Sequence, residues 1–146
     1  MQGILADVNV QKHLEYLQHR WTALNLRGVL ADLGLSFVTF AELNLPRNLD
    51  DRSLWQLCQK QGWVLFTENR NHDGPNSLSA TLIDLWQIGD LPILTLANKG
   101  RFEHDLEYAN HVAEDIAELL FGLVVENRHR DISRIYIPRT VLISKT

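Results

Sequence analysis

The middle of this 146-residue chain reads Gln61-Gly62-Trp63-Val64-Leu65-Phe66-Thr67-Glu68-Asn69-Arg70-Asn71-His72-Asp73. A glycine that can end a helix precedes an apolar run that is too short to be a helix. The run then continues into a polar cluster of asparagine, histidine and aspartate side chains. In an α/β protein this pattern is typical of a buried parallel strand whose carboxyl end delivers side chains to a crevice. We therefore predict a strand at 63–67, followed by a functional crevice.

The rest of the chain alternates short apolar runs with helical patterns. The other predicted strands are residues 3–6, 36–40, 92–96 and 132–137, with 141–143 as a candidate sixth strand. The predicted helices are 10–33 with a break near Asn25 and Gly28, 51–61, 77–86 and 102–124. Strands and helices in alternation predict right-handed βαβ units. We expect one domain over residues 1–146, with a three-layer α/β/α fold and a mainly parallel sheet of four to six strands.

Composition limits the class of protein. The net charge of −4 argues against a strong non-specific DNA binder, and no apolar run is long enough to span a membrane. The N-terminal residues lack the pattern of a secretory signal, and the one cysteine, Cys58, cannot form an internal disulfide. We expect a cytoplasmic protein with no membrane partner, in which Cys58 is a buried structural thiol.

Positive charge is concentrated in the last third of the chain, and its densest point is Arg128-His129-Arg130. We expect this segment to be a solvated loop of mixed charge, with contact to a phosphate group as the alternative. The pattern at His104, Glu107 and His111 places three potential metal ligands at helical spacing. An exposed polar helix face is the commoner explanation of that spacing, and we favour it over a zinc site.

Carboxylates stand where the predicted strands and helices meet at one edge of the sheet. Asp7 follows the first strand, Asp51 opens a helix, and Glu68 and Asp73 follow the third strand. Two or three converging carboxylates can hold Mg²⁺ or Mn²⁺, which can activate water for phosphodiester cleavage. The alternative is that Asp7 and Asp51 cap turns or helices and that Asp73 is a turn residue before Gly74.

Two segments resemble the PIN-like nuclease superfamily, in particular the compact bacterial group related to VapC-type toxins and Mut7-C domains. The first is Leu5-Ala6-Asp7-Val8-Asn9-Val10. The second is Asp51-Arg52-Ser53-Leu54-Trp55-Gln56-Leu57-Cys58-Gln59-Lys60-Gln61-Gly62-Trp63-Val64-Leu65-Phe66-Thr67. The resemblance covers about the first hundred residues. It implies a PIN-like fold and the activity of that superfamily, whose members are typically ribonucleases that depend on Mg²⁺ or Mn²⁺.

The chain departs from the family pattern at the metal site. Asp7 and Asp51 match two of the aspartates of the pattern, but Asn69 and Asn71 stand where the two aspartates of the third strand are usual. Val8 replaces the usual glutamate. An asparagine carbonyl can contact a hard cation, yet it adds no negative charge and no general base. The resemblance therefore implies a weakened metal site.

We accordingly predict a candidate endoribonuclease of toxin–antitoxin type. Asp7 and Asp51 would bind Mg²⁺ or Mn²⁺, Asp73 would be a substitute ligand, and Asn69 and Asn71 would ligate the metal or position water. The expected partners are RNA, a cognate antitoxin and a second copy of the chain. The alternative is a catalytically inactive PIN-like interaction module, in which one of the four tryptophans is an exposed anchor for a partner. A phosphate site at helix N-termini is a third, weaker interpretation.

Overall fold

The fold is that of a computed structural model, which describes residues 1–68, 74, 75 and 77–139. The strands are β1 (Gly3–Ala6), β2 (Ser36–Val38), β3 (Trp63–Glu68), β4 (Ile93–Leu96) and β5 (Arg134–Ile137). The helices are α1 (Gln11–Ala23), α2 (Arg27–Asp32), α3 (Asp51–Gln61), α4 (Leu78–Leu85), α5 (Lys99–His104) and α6 (Leu106–Val125). Short 3-10 turns lie at Val8–Val10 and Ala41–Leu43. None of these helices is long and apolar enough to cross a membrane.

The strands form one parallel sheet in the order β2-β1-β3-β4-β5. Ile4 of β1 lies opposite Phe37 of β2 on one side and Val64 of β3 on the other. The chain therefore moves from β1 outward to β2 and then returns to β3 on the other side of β1. This reversal makes the space between β1 and β3 the topological switch point of the sheet, where doubly wound proteins bind ligands. The predicted α/β fold with a parallel sheet is confirmed.

Helices cover both faces of the sheet, and each face has its own apolar core. Neighbouring residues of a strand point to opposite faces, so Ile4 and Leu5 of β1 belong to different clusters. The face of Ile4 packs against α1, α5 and α6, and the face of Leu5 packs against α3 and α4. This packing gives the three layers that the sequence predicts.

Three predicted elements are wrong in their bounds, and one of them is the strand predicted at 132–137, which begins only at Arg134. The helix predicted at 102–124 is divided at Asp105, because the Asp105 carboxylate accepts a hydrogen bond from the Tyr108 backbone N–H at 3.1 Å and so begins α6. The strand predicted at 36–40 ends at Val38, because Phe40 turns inward and the 3-10 turn follows it. The candidate strand at 141–143 lies outside the described residues.

The ends of α3 show how the local sequence fixes the helix. Asp50 is the N-cap, because its Oδ1 accepts a hydrogen bond from the Ser53 backbone N–H at 3.0 Å. Gly62 ends the helix with a φ of 84°, a left-handed conformation that glycine adopts without steric cost. The predicted break after α1 is also confirmed, since Asn25 has a φ of 61°.

Candidate functional site

Asp7 lies at the carboxyl end of β1, beside the switch point. It is only 4% exposed, and its Oδ1 accepts a hydrogen bond from the Val8 backbone N–H at 2.7 Å. Asp7 follows Leu5 by two residues, which directs both side chains towards α3. The Asp7 charge accordingly acts on Cys58 of α3. Burial raises the pKa of the Cys58 thiol to about 12, and the nearby Asp7 carboxylate contributes to the increase.

Asp51 joins the N-termini of two helices at the same edge of the sheet. Since Asp50 caps α3, Asp51 is the first helical residue, and its Oδ2 accepts a hydrogen bond from the Leu78 backbone N–H at 3.1 Å. Leu78 is the first residue of α4. The positive ends of both helix dipoles therefore stabilise the negative charge of Asp51. The expectation that Asp51 caps a helix is partly correct, because it supports the start of α4, whose own N-cap is Ser77.

The ends of β3 and β4 bring two further pairs of side chains to this edge. The hydroxyl groups of Thr67 and Thr95 are 3.3 Å apart and buried. Lys99 Nζ donates a hydrogen bond to Glu68 Oε2 at 2.6 Å, in an ion pair that is only partly exposed. Lys99 was not among the predicted site residues. The only sequence signal for it is its place shortly after a strand that ends beside β3.

His13 and Glu103 form a polar pair at the same edge, on the other face of the sheet. His13 of α1 is buried, and its Nε2 lies 3.2 Å from Glu103 Oε2 of α5. Neither ring nitrogen has a hydrogen bond of good geometry within the described residues. Burial lowers the pKa of His13, and the Glu103 carboxylate opposes this shift. These two side chains, with Lys12 and Tyr16, line a cleft of about 270 Å³.

The structure places two of the five predicted site residues. Asp7 and Asp51 both lie at the carboxyl edge, whereas Asn69, Asn71 and Asp73 lie outside the described residues. Within residues 1–68, 74, 75 and 77–139, no group of three or more His, Cys, Asp and Glu side chains is arranged to hold a metal ion. The metal site predicted at this edge therefore depends on residues 69–73, and it stays a prediction.

The structure bears on three further expectations from the sequence. His104 is the last residue of α5 and His111 belongs to α6, so these histidines share no continuous helix face for zinc. Trp21, Trp55 and Trp63 are buried, whereas Trp86 is only partly buried against the core of the α3–α4 face, so the tryptophan anchor stays a prediction that could concern Trp86 alone. The expectation that Cys58 is a buried thiol is confirmed.

Comparison of the chain with protein-family models, curated proteins and solved structures gave no match. The resemblance to PIN-like nucleases consequently rests on the two motifs alone.

Proposed function

We propose that this chain is a PIN-like protein that binds Mg²⁺ or Mn²⁺ at the carboxyl edge of its sheet and cleaves RNA. The observation that carries the proposal is the buried Asp7 at the switch point, on the same face as Asp51. Carboxylate oxygens are the ligands that a hard divalent cation prefers, so two aspartates on one face of the switch point can contribute to holding one.

The donor atoms at this edge suit a hard divalent cation. Asp7 and Asp51 supply carboxylate oxygens, and Cys58 stays protonated because its pKa is about 12. Hard cations prefer oxygen ligands, so the edge favours Mg²⁺ or Mn²⁺ over a thiolate-bound metal. When bound, the cation would lower the pKa of a coordinated water and polarise the phosphodiester. Asp73, Asn69 and Asn71 follow β3 in sequence and would complete the ligand set.

The Glu68–Lys99 ion pair affects both metal binding and substrate binding at this edge. The ammonium group of Lys99 neutralises Glu68, so Glu68 attracts a metal ion less than an unpaired carboxylate would. The Lys99 ammonium group also has N–H donors besides the one that Glu68 accepts from, and these could donate to a phosphate oxygen of the substrate. In this proposal Asp7 and Asp51 hold the cation, and Lys99 contributes to binding the RNA backbone.

The proposal is tested by calorimetric titration with Mn²⁺ and Mg²⁺ of the native chain, Asp7→Asn and Asp51→Asn. Asp50→Asn is the matched control, because it removes the same charge one residue away and asparagine still caps α3. We expect binding with a dissociation constant of about 1 mM or tighter that is lost in the two site variants and retained in the control. Metal-dependent cleavage of RNA should follow the same pattern.

Two outcomes would contradict the proposal. Cleavage that persists in a folded Asp7→Asn chain would exclude the nuclease assignment. No metal binding by the native chain would favour the alternative of a catalytically inactive interaction module, which is consistent with the neutralised Glu68. The antitoxin and the second copy of the chain stay predictions from the resemblance.

A further inference from the structure

A basic cleft lies at the amino edge of the sheet, opposite the proposed metal site. It has a volume of about 500 Å³ and is formed by the loop before β4 and the loop before β5. The lining residues are Ile88, Gly89, Asn127, Arg128, His129, Arg130 and Asp131. The segment Arg128-His129-Arg130 forms one wall of this cleft. From the sequence, a solvated loop and a phosphate contact were the two alternatives for this segment.

Short backbone contacts hold this cleft in shape. The Gly89 N–H donates to the Arg130 carbonyl at 2.7 Å, and Arg130 Nη1 donates back to the Gly89 carbonyl at 3.0 Å. On the opposite side, the Arg128 N–H donates to the Gly122 carbonyl of α6 at 2.9 Å. The His129 ring packs so closely on Gly122 that an added Cβ would lie 2.7 Å from Nε2. The loop is therefore anchored to both neighbouring elements before any ligand binds.

The arginines of the cleft retain hydrogen-bonding capacity. Arg130 Nε is buried and has no hydrogen-bond partner in the part of the chain that the structure describes. Arg128 has only one acidic contact there, a distance of 3.5 Å between its Nη1 and Glu126 Oε1. A buried donor without an acceptor is unfavourable, so a small rotation of the Arg130 guanidinium towards a bound anion would remove this cost.

The electrostatic environment of the cleft is positive. Burial is the main cause that lowers the pKa of His129, and the charges of Arg139 and Arg128 lower it further, against the weaker opposing effects of Asp131 and Glu118. Among the residues that the structure describes, Asp131 is the one acidic residue that lines the cleft. Arg139 is engaged by Asp115, with Nη2 2.6 Å from Oδ1, so Arg128 and Arg130 are the cations available to a ligand.

We propose that this cleft binds a phosphate group carried on an organic molecule. Guanidinium groups match the geometry of phosphate oxygens and can donate two parallel hydrogen bonds to them. The volume is within the range of small-molecule sites, which leaves room for the group attached to the phosphate. Ile88 is 82% exposed at the rim and offers that group an apolar contact. The proposal is independent of the metal site at the carboxyl edge.

The test is calorimetric titration in EDTA, at constant ionic strength, with inorganic phosphate, adenosine monophosphate and a single-stranded oligoribonucleotide. EDTA removes any contribution from a metal site. Two variants alter the cleft. Arg128→Ala removes one of its guanidinium groups, and Gly122→Ala adds a Cβ that displaces the His129 ring. The control is Arg27→Ala, an equal loss of charge at an exposed position of α2, next to β2 at the other end of the sheet.

We expect adenosine monophosphate to bind more tightly than inorganic phosphate, and Arg128→Ala to weaken binding about tenfold or more. Gly122→Ala should also weaken binding, with unchanged helical circular dichroism, whereas Arg27→Ala should bind as the native chain does. A preference for the oligoribonucleotide over the mononucleotide would identify an RNA strand as the source of the phosphate, and equal affinity would identify a small phosphate ester. Absence of binding by all three probes, or equal weakening by Arg128→Ala and Arg27→Ala, would overturn the proposal.

Discussion

Two buried tryptophans differ in one hydrogen bond, and this difference should control the cost of replacing each with phenylalanine. Trp21 of α1 is fully buried, and its Nε1 donates to the Ala113 carbonyl of α6 at 2.8 Å. Trp55 of α3 is also buried, but its Nε1 has no hydrogen-bond partner among the residues described. Each substitution removes the same atoms, so the two variants isolate the contribution of the indole N–H.

The expected losses in free energy of unfolding differ between the two variants. Loss of packing and the resulting cavity should cost about 1–2 kcal/mol at both positions. Trp21→Phe also loses a buried hydrogen bond, worth about 1 kcal/mol, so the total loss in free energy of unfolding is about 2–3 kcal/mol. Trp55→Phe removes a buried N–H that has no acceptor, which stabilises the folded chain by about 1–3 kcal/mol. This gain offsets the loss of packing, so the net change in free energy of unfolding is near zero.

The assay is urea unfolding followed by circular dichroism, with the slope of the free energy against urea checked for each variant. Trp21→Phe should be less stable than Trp55→Phe by about 2 kcal/mol or more, or by about 4–8 °C in melting temperature for a chain of this size. Equal losses in the two variants would refute the reasoning, because the Trp21–Ala113 hydrogen bond would then contribute no net stability to the packing of α1 on α6.

Three further predictions concern titrating and charged groups. Cys58 should react with a thiol reagent at about pH 8 only after unfolding in urea, because burial raises its pKa to about 12; rapid reaction of the folded chain would contradict this. Burial lowers the pKa of His13 below its ordinary 6.5, so folding stability should fall as the pH drops below about 6.5. His13→Gln should reduce the difference in melting temperature between about pH 7.5 and pH 5.5, and an unchanged difference would exclude His13 as a cause. Lys99→Gln should tighten Mn²⁺ binding in a calorimetric titration, because it removes the cation that neutralises Glu68; unchanged affinity would show that Glu68 does not contribute to the site.

The strands could be predicted from the sequence because their signals are local. Apolar runs of strand length marked β1, β3, β4 and β5, and the alternation with helices gave the parallel sheet. The position of Asp7 at the end of β1 followed directly from that assignment. The break at Asp105 was missed because apolar residues continue on both sides of it, and the N-cap geometry of Asp105 outweighs this periodicity.

Contacts between distant parts of the chain could not be predicted in the same way. Asp50 and Asp51 are adjacent aspartates with the same capping chemistry, and their different roles depend on contacts, since Asp50 caps α3 while Asp51 reaches Leu78 at the start of another helix. The pairing of Glu68 with Lys99 joins residues 31 positions apart. Likewise, the burial of His13 depends on the packing of α5 against α1, which no local pattern encodes.

The charges at the carboxyl edge determine how metal and RNA binding would be balanced. Asp7 and Asp51, when both are ionised, balance the +2 charge of one divalent cation, and the Glu68–Lys99 pair adds no net charge. A cation held by Asp7 and Asp51 would offset both of their charges, which lowers the repulsion that an RNA phosphate meets at this edge. If Lys99 were absent, Glu68 would strengthen cation binding, but its charge would then repel the phosphate. Lys99→Gln should therefore bind Mn²⁺ more tightly and cleave RNA more slowly, and this opposite change distinguishes a substrate-binding lysine from one that only supports the fold.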